Sequence, residues 1–327
     1  MESNRQTDRV GKTAFFIGSP FQCLCALEAI NVFNVSNYDF YIYDTIPGSD
    51  MLKRLLEKKG ILFQPIVRKK HLLYYLLFLF KKHPRYESVF IGNMFDNVSY
   101  AISSLYVCNY PSLFYMDDGI QALAYFGGQN MINPLKKTGV AKVFESIYKL
   151  KGIKRKALFT IYDVSTKHIE VIHNGLSLFK FNSTNPLKGV YIVGTNSSAL
   201  VYKGRNYFDY LNSLFLFIQE HFHEEEIFYC PHRRDSNNIR IKGLCIERGI
   251  HYYNTNVSIE YDFVENGVNP LCVIGFASNA LFVLKAIFPN SVINTVHYDL
   301  DNEDADRVAK VLENKLNENG ISSINIY

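Results

Sequence analysis

The segment Tyr229–Asp235, which reads YCPHRRD, combines one imidazole with two guanidinium groups. Apolar residues before it predict a short buried strand, and Pro231 ends that strand because proline has no N–H for a sheet ladder. His232, Arg233 and Arg234 then follow the carboxyl end of the strand, where open α/β sheets bind ligands. Fixed positive charge beside a group that exchanges protons near neutral pH suits a phosphate. A solvated basic turn is the alternative interpretation.

A pair of carboxylates occupies a similar place in the first half of the chain. Asp117 and Asp118 follow the apolar run Ser112–Met116 and precede Gly119. Repulsion and desolvation raise the pKa of one of two adjacent carboxylates, which makes it a candidate general base. A D-D-G turn with the glycine in the left-handed region is the alternative. Because the acids are contiguous and no further ligand follows closely, we predict no metal site.

A third candidate is the segment Gly275–Ala280, which reads GFASNA. It predicts a strand end, a glycine turn and a helix that opens at Ser278 and Asn279. A helix N-terminus presents unpaired N–H groups to anions, and the serine adds a hydroxyl. Ordinary helix capping is the alternative interpretation.

Two further acids lie near predicted element ends. Glu260 follows a predicted strand, where its carboxylate could hold ribose hydroxyls, or it is a surface acid. Asp209 lies near the start of a predicted helix, Tyr207–His221. It either faces the ligand cleft or is a favourable acid in the first helical turn.

Strands that alternate with helices of 10–15 residues predict parallel sheets in both halves of the chain. Ser19 and Pro20 suit the start of the first helix, as N-cap and first helical residue. The segment Phe181–Lys188 has the composition of a linker and separates a domain of residues 1–184 from one of residues 185–327. The predicted class is therefore α/β, with two doubly wound Rossmann-like domains facing a cleft, the GT-B layout.

Composition narrows the class of protein. The 327 residues are 48% hydrophobic and 20% charged, so they can bury a proper core, and the net charge of +4 is too small to indicate a nucleic-acid partner.

The six cysteines form no C-x-x-C motif and predict core residues in a reducing compartment. The polar segment Met1–Lys12 lacks the apolar region expected of a signal peptide, and the apolar run Leu72–Phe80 is shorter than a membrane-spanning helix needs. We therefore predict a cytoplasmic protein.

The segment Arg68–Lys82 predicts a helix that is apolar around most of its circumference and basic at both ends. One interpretation is a buried domain helix. The other is peripheral contact with the anionic inner face of the cytoplasmic membrane.

These motifs together resemble a known family. Tyr229-x-Pro231-His232-x-Arg234-Asp235, the downstream Ile259-Glu260 and the following Gly275-Phe276-x-Ser278 resemble the nucleotide half of bacterial sialyltransferases, most of all glycosyltransferase family 52. That family shares D/E-D/E-G, His-Pro and Ser-Ser/Thr motifs. Ser19-Pro20-Phe21-Gln22 is similar to its opening. The sequence departs from the pattern where Arg233 replaces the motif proline and Asn279 the second hydroxyl.

The resemblance implies inverting transfer of sialic acid from CMP-sialic acid to a sugar hydroxyl, expected to be galactose, without a metal or other cofactor. Asp117 and Asp118 would supply the base, although some family members use an acid upstream of the His motif, where Asp209 stands. His232 would assist the departing phosphate, Ser278 would bind it and Glu260 would hold the ribose. The implied donor-binding set, on the second domain and at the chain's opening, is Glu260, Gly275, Phe276, Ser278, Asn279, Arg234, Ser19 and Gln22.

The acceptor implied is an oligosaccharide or lipid-linked glycan of a bacterial surface polymer, such as capsule or lipopolysaccharide. The linkage and the oligomeric state stay open. Two alternatives remain: transfer of another CMP- or nucleotide-activated sugar, and a non-catalytic protein that binds a glycan or nucleotide during polysaccharide assembly.

Overall fold

The structure is a computed structural model that describes residues 11–43, 49–66, 85–92, 97–117, 146–166, 169–181, 186–196, 206–232, 235, 237–254 and 257–326. The described residues divide into two compact units, the first ending at Asn174 and the second beginning at Gly175. Each contains one parallel sheet with helices between its strands. The predicted class, two parallel-sheet α/β domains, is confirmed.

The predicted division at residues 184 and 185 stays a prediction. Phe181, which begins the predicted linker, already packs within the second unit. Its N–H donates to the Ile287 carbonyl at 2.9 Å, and its ring lies 5.3 Å from that of Phe288.

The first unit contains a seven-stranded sheet with the order β3-β2-β1-β4-β5-β6-β7, and all its pairs are parallel. The strands are β1 Lys12–Ile17, β2 Tyr38–Tyr43, β3 Phe63–Ile66, β4 Tyr86–Ile91, β5 Val107–Met116, β6 Arg155–Thr160 and β7 Glu170–His173. The helices are Pro20–Val32, Ser49–Lys58 and Asn97–Tyr106, and residues 146–150 are also helical.

A row of phenylalanines fixes the register of this sheet. Phe15 of β1 pairs with Phe40 of β2 and Phe90 of β4, and Phe90 pairs with Phe114 of β5. The stacked rings lie 4.4–5.0 Å apart between centroids. Since a slip of one residue would turn each ring to the other face, this buried row holds the strands in one alignment.

The second unit contains a six-stranded sheet with the order β10-β9-β8-β11-β12-β13, again parallel throughout. Its strands are β8 Lys188–Val193, β9 Ile227–Cys230, β10 His251–Tyr252, β11 Pro270–Phe276, β12 Val292–Val296 and β13 Ser322–Ile324. Its α-helices are Tyr207–His221, Asn238–Glu247, Ile259–Glu265, Asn279–Ile287 and Glu303–Glu318, and Ser177–Phe179 forms a 3₁₀ turn.

Both sheets reverse their strand order once. The reversal lies between β1 and β4 in the first unit and between β8 and β11 in the second. In doubly wound sheets, the loops at the carboxyl ends of the strands around this point form the ligand-binding crevice. The loops after these strands therefore form the candidate ligand-binding edge of each sheet.

Three local features differ from the prediction. The sequence predicts a helix over Tyr100–Cys108, but Val107 and Cys108 begin β5, because a short apolar run fits either period. Glu260 follows a strand, β10, as predicted, but it lies in the helix Ile259–Glu265, which was not predicted because it is too short to show a helical period. The strand Ser322–Ile324 was not predicted.

The predicted helix Arg68–Lys82 lies outside the described residues. The sequence also predicts a helix over Val140–Leu150, and of these residues only 146–150 are described, all of them helical. Within the described ranges, none of the helices has the length and apolar character needed to cross a bilayer.

Candidate functional site

The carboxyl edge of the second sheet collects most of the residues that the sequence singled out. His232 follows β9, Gly194 follows β8 and Ser278 follows β11. Since β8 lies between β9 and β11, and the strands are parallel, these residues lie on three adjacent loops of one edge. Residues from two distant stretches of the chain therefore lie near the reversal of strand order, and the edge can offer an imidazole and a hydroxyl group to one ligand.

The turn that carries His232 is held by Asp235. The N–H of Asp235 donates to the His232 carbonyl at 2.9 Å, and its carboxylate accepts from the N–H of Asn237 at 2.9 Å. Asp235 is only 5% exposed, and this second bond holds Asn237, the residue that precedes the helix Asn238–Glu247. The last residue of the YCPHRRD motif therefore fixes the backbone on which His232 stands.

Two buried tyrosines, Tyr207 and Tyr229, contact the loops at this edge. The hydroxyls of Tyr207 and Tyr229 lie 3.0 Å apart, and the Tyr207 hydroxyl also bonds to the backbone of Thr195. Burial, with the nearby charge of Asp235 adding to it, raises the pKa of Tyr207 to about 12. The hydroxyl is thus a neutral donor at physiological pH. Sequence reasoning missed this pair, since aromatic residues in a strand and a helix first indicate a core.

Close backbone packing explains two glycines at the edge. A Cβ on Gly194 would lie 2.3 Å from the Tyr229 hydroxyl. A Cβ on Gly275 would lie 3.1 Å from Cβ of Val193 and 3.1 Å from Leu281. The predicted site residue Gly275 therefore lets β11 approach β8, and it offers a ligand no side chain.

Ser278 carries the clearest sign of a binding role. It is the N-cap of the helix Asn279–Ile287, yet its side chain makes no capping bond. Its Oγ is buried, and none of the described residues bonds to it. An unpaired buried hydroxyl is costly, so an outside group that accepts from it would remove that cost. The hydroxyl is available to an anion at this helix end.

We expect Ser278→Ala to leave the unfolding free energy nearly unchanged, although loss of a working serine cap costs about 0.5–2 kcal/mol. The reason is that the Oγ makes no capping bond to lose. The matched control is Asn302→Ala, because Asn302 does cap its helix, accepting from the N–H of Ala305 at 2.9 Å. Urea denaturation should show a loss for Asn302→Ala alone. An equal loss in both variants would contradict this account of Ser278.

The remaining predicted donor-site residues of this unit differ in accessibility. Phe276 is 1% exposed and packs among the rings of Tyr207, Tyr210 and Tyr298, so only its backbone could meet a ligand. Asn279 is half-buried at the first position of its helix. Glu260 is 7% exposed and lies in the first turn of its helix. An ionised carboxylate can accept hydrogen bonds but cannot donate them. Whether these residues bind a ligand stays a prediction.

Asp209 has a structural partner. It is exposed, its N–H donates to Oδ1 of Asn206 at 3.0 Å, and its carboxylate accepts from the Asn206 amide. This reciprocal pair closes the N-terminus of the helix Tyr207–His221. Its use as a base stays a prediction.

Gln22 joins two loops at the reversal point of the first sheet. Its Oε1 accepts from the N–H of Gly18 at 2.6 Å, and its Nε2 donates to the Gly92 carbonyl at 3.1 Å. Ser19 caps the helix Pro20–Val32, because its hydroxyl accepts from the N–H of Gln22 at 3.2 Å. This contact confirms the predicted Ser-Pro start of the helix. The predicted role of Ser19 and Gln22 in donor binding stays a prediction.

Gln22→Ala should lower the unfolding free energy by about 2–4 kcal/mol, because it leaves the N–H of Gly18 and the carbonyl of Gly92 without their partner. Gln22→Glu keeps the acceptor for Gly18 but places a buried acid against the Gly92 carbonyl, so it should lose at least as much. Urea denaturation measures both variants. A stability loss below about 1 kcal/mol for alanine would show that Gln22 is not a loop clamp.

Asp117 is fully buried at the carboxyl end of β5. Its Oδ2 accepts from the N–H of Ile161, after β6, at 2.7 Å. Burial raises the pKa of the Cys25 thiol well above its usual value, and the charge of nearby Asp117 adds to this effect. Asp117 therefore joins two strand ends. The base role predicted for it is not tested by this geometry.

Three predicted residues, Asp118, Arg233 and Arg234, lie outside the described residues. Among those described, no group of three or more His, Cys, Asp or Glu side chains is arranged to hold a metal ion. All six cysteines are free, and five of them are buried, as expected of core residues.

Sequence comparisons give no family: no family model matches the chain, and no curated protein matches it. Solved structures do match. An α/β-galactoside α-2,3-sialyltransferase from Photobacterium phosphoreum has a TM-score of 0.56 at 14% identity, over 95% of this chain and 98% of that one. The chain has the GT-B fold.

Other similar structures include a second sialyltransferase and an epimerase. A 2,6-sialyltransferase from Photobacterium sp. JT-ISH-224, solved with CMP and lactose, has a TM-score of 0.54 at 14% identity, over 96% of this chain and 78% of that one. The UDP-GlcNAc 2-epimerase of Methanocaldococcus jannaschii, with UDP-GlcNAc and UDP, has a TM-score of 0.52 at 10% identity, over 96% of this chain and 89% of that one. At these identities the likeness shows the GT-B fold alone.

Proposed function

We propose that this protein is a glycosyltransferase that moves sialic acid from CMP-sialic acid to a hydroxyl of an acceptor sugar. One observation carries the proposal: the buried, unbonded Oγ of Ser278 at a helix N-terminus, on the edge that also bears His232. A helix N-terminus, a hydroxyl and an imidazole can each donate a hydrogen bond to a phosphate. The GT-B fold and the sialyltransferases among the similar structures support the choice of donor.

The reaction replaces one bond to the anomeric carbon of sialic acid with another. The acceptor oxygen attacks that carbon, and the bond from the carbon to the phosphate oxygen of CMP breaks with inversion. In this proposal, Ser278 Oγ and the N–H groups of the helix Asn279–Ile287 stabilise the negative charge that develops on the phosphate. His232 donates a hydrogen bond, or a proton, to the same leaving group.

A carboxylate must accept the proton that the acceptor hydroxyl loses. Asp117, Asp118 and Asp209 are the candidates from the sequence. We propose Asp118, because the carboxylate of Asp117 is fully buried and bonds to Ile161, and that of Asp209 closes a helix end with Asn206. The acceptor is proposed to be a galactose-containing oligosaccharide or lipid-linked glycan of a bacterial surface polymer.

Transfer from another nucleotide sugar is the second candidate, favoured by the likeness to a UDP-GlcNAc 2-epimerase. A phosphate-binding helix end does not by itself distinguish cytidine from uridine. Non-catalytic nucleotide binding would use the same residues without turnover.

A donor panel tests the proposal. The protein is incubated with lactose and CMP-sialic acid, UDP-GlcNAc, UDP-galactose or GDP-mannose, with and without EDTA, and products are identified by mass spectrometry. We expect sialyl-lactose from CMP-sialic acid alone, in equal amounts with EDTA. Product from a UDP- or GDP-sugar would replace the donor assignment, and CMP binding without product from any donor would leave a binding protein.

A further inference from the structure

A second histidine stands on the edge that carries Ser278. His297 directly follows β12, and the register that pairs Phe276 with Val296 places His297 beside Ala277. Neighbouring strands lie about 4.8 Å apart, so His297 borders the loop that leads into Ser278. The mechanism proposed above gives this residue no role, and no sequence motif indicated it.

A carboxylate fixes the orientation of the His297 ring. Nδ1 lies 3.0 Å from Oε2 and 3.1 Å from Oε1 of Glu313, which comes from the helix Glu303–Glu318. An ionised carboxylate only accepts, so Nδ1 carries the hydrogen in this pair. Nε2 lies on the opposite side of the ring, and none of the described residues bonds to it. The side chain is 38% exposed while that of Glu313 is 13% exposed, so a ligand can reach Nε2.

The backbone of His297 is held on both sides. Its N–H donates to the Ile324 carbonyl at 2.9 Å, and its carbonyl accepts from the Tyr210 hydroxyl. Both the backbone and the ring plane are therefore set before any ligand arrives. A partly exposed imidazole aligned by a second residue is the arrangement expected of a binding group rather than of a loose surface histidine.

We propose that His297 binds the sugar portion of the nucleotide-sugar donor through Nε2, with Glu313 as its positioning residue. The inference rests on the proposed function. Along the chain, Glu260 follows β10, Ser278 follows β11 and His297 follows β12. In the sheet, β12 lies next to β11, on the side of β11 that faces away from β10. A donor with its ribose toward Glu260 and its phosphate at Ser278 carries its sugar toward β12.

Binding of CMP and of CMP-sialic acid, measured by calorimetry without acceptor, separates the sugar contact from the phosphate contact. We expect His297→Ala to weaken CMP-sialic acid binding about 5- to 20-fold and to leave CMP binding unchanged, because a single hydrogen bond is lost on the sugar side only. Glu313→Gln keeps an acceptor oxygen and should retain most of the affinity that Glu313→Ala loses.

The matched control is His251→Ala. His251 is also exposed and lies 3.9 Å from a glutamate, Glu226, but it starts β10 and so lies away from the carboxyl edge. We expect unchanged binding of both ligands. If His297→Ala proves unfolded by thermal melting, His297→Asn, which keeps an N–H for Glu313 but lacks Nε2, replaces it.

Each outcome decides the inference. Equal weakening of CMP and CMP-sialic acid would place His297 at the phosphate and overturn it, and unchanged binding of both would also overturn it. Wild-type protein that binds neither ligand would contradict the proposed function itself. Wild-type binding that His297→Ala leaves unaltered would contradict the His297 assignment alone.

Discussion

His232→Ala is expected to lower kcat with CMP-sialic acid about 10²–10⁴-fold, the usual loss when a proton-transfer group is removed. The fold should survive, because the contact that holds the turn is between the Asp235 N–H and the His232 carbonyl and uses no imidazole atom. Initial rates at saturating donor measure the effect, and thermal melting checks the fold.

The pH profile adds a second test of His232. Alanine should change the dependence of kcat on pH, because the wild-type imidazole must carry the proton that it passes to the leaving group. His223→Ala is the control, since that imidazole is 75% exposed at a helix end and should not affect the rate. A His232 variant with wild-type kcat would remove the leaving-group role from the proposal.

The second large effect concerns the base. Asp118→Asn should lower kcat by about 10²–10⁴-fold, because the amide cannot take up the acceptor proton. Asp209→Asn should retain most activity, since the reciprocal contact with Asn206 can form with an amide as well. The two variants are compared at saturating acceptor.

Asp117→Ala separates structure from chemistry at the same motif. It leaves the N–H of Ile161 without an acceptor and should lower the unfolding free energy by about 1–3 kcal/mol. A collapse of kcat in Asp209→Asn with normal turnover in Asp118→Asn would move the base to the second unit. Loss of kcat in a folded Asp117→Asn variant, with Asp118→Asn active, would assign it to Asp117.

The sequence was informative wherever the deciding physics is local. The helix Tyr207–His221 was predicted to the residue, because its apolar period is long and an asparagine caps its start. The Ser19-Pro20 start followed from capping chemistry alone. Elements with little periodicity, such as the helix at Glu260 and the strand Ser322–Ile324, were misplaced or missed.

Alternation of strands and helices also determined the class: two parallel sheets, each with a ligand edge at its carboxyl ends. It could not determine which loops share that edge as neighbours, because strand order depends on packing between segments far apart in the chain. Only the order β10-β9-β8-β11-β12 places His232 and Ser278 on either side of Gly194 and adds His297 beyond them. Burial, likewise set by distant packing, left the Ser278 hydroxyl unbonded and enclosed the Asp117 carboxylate.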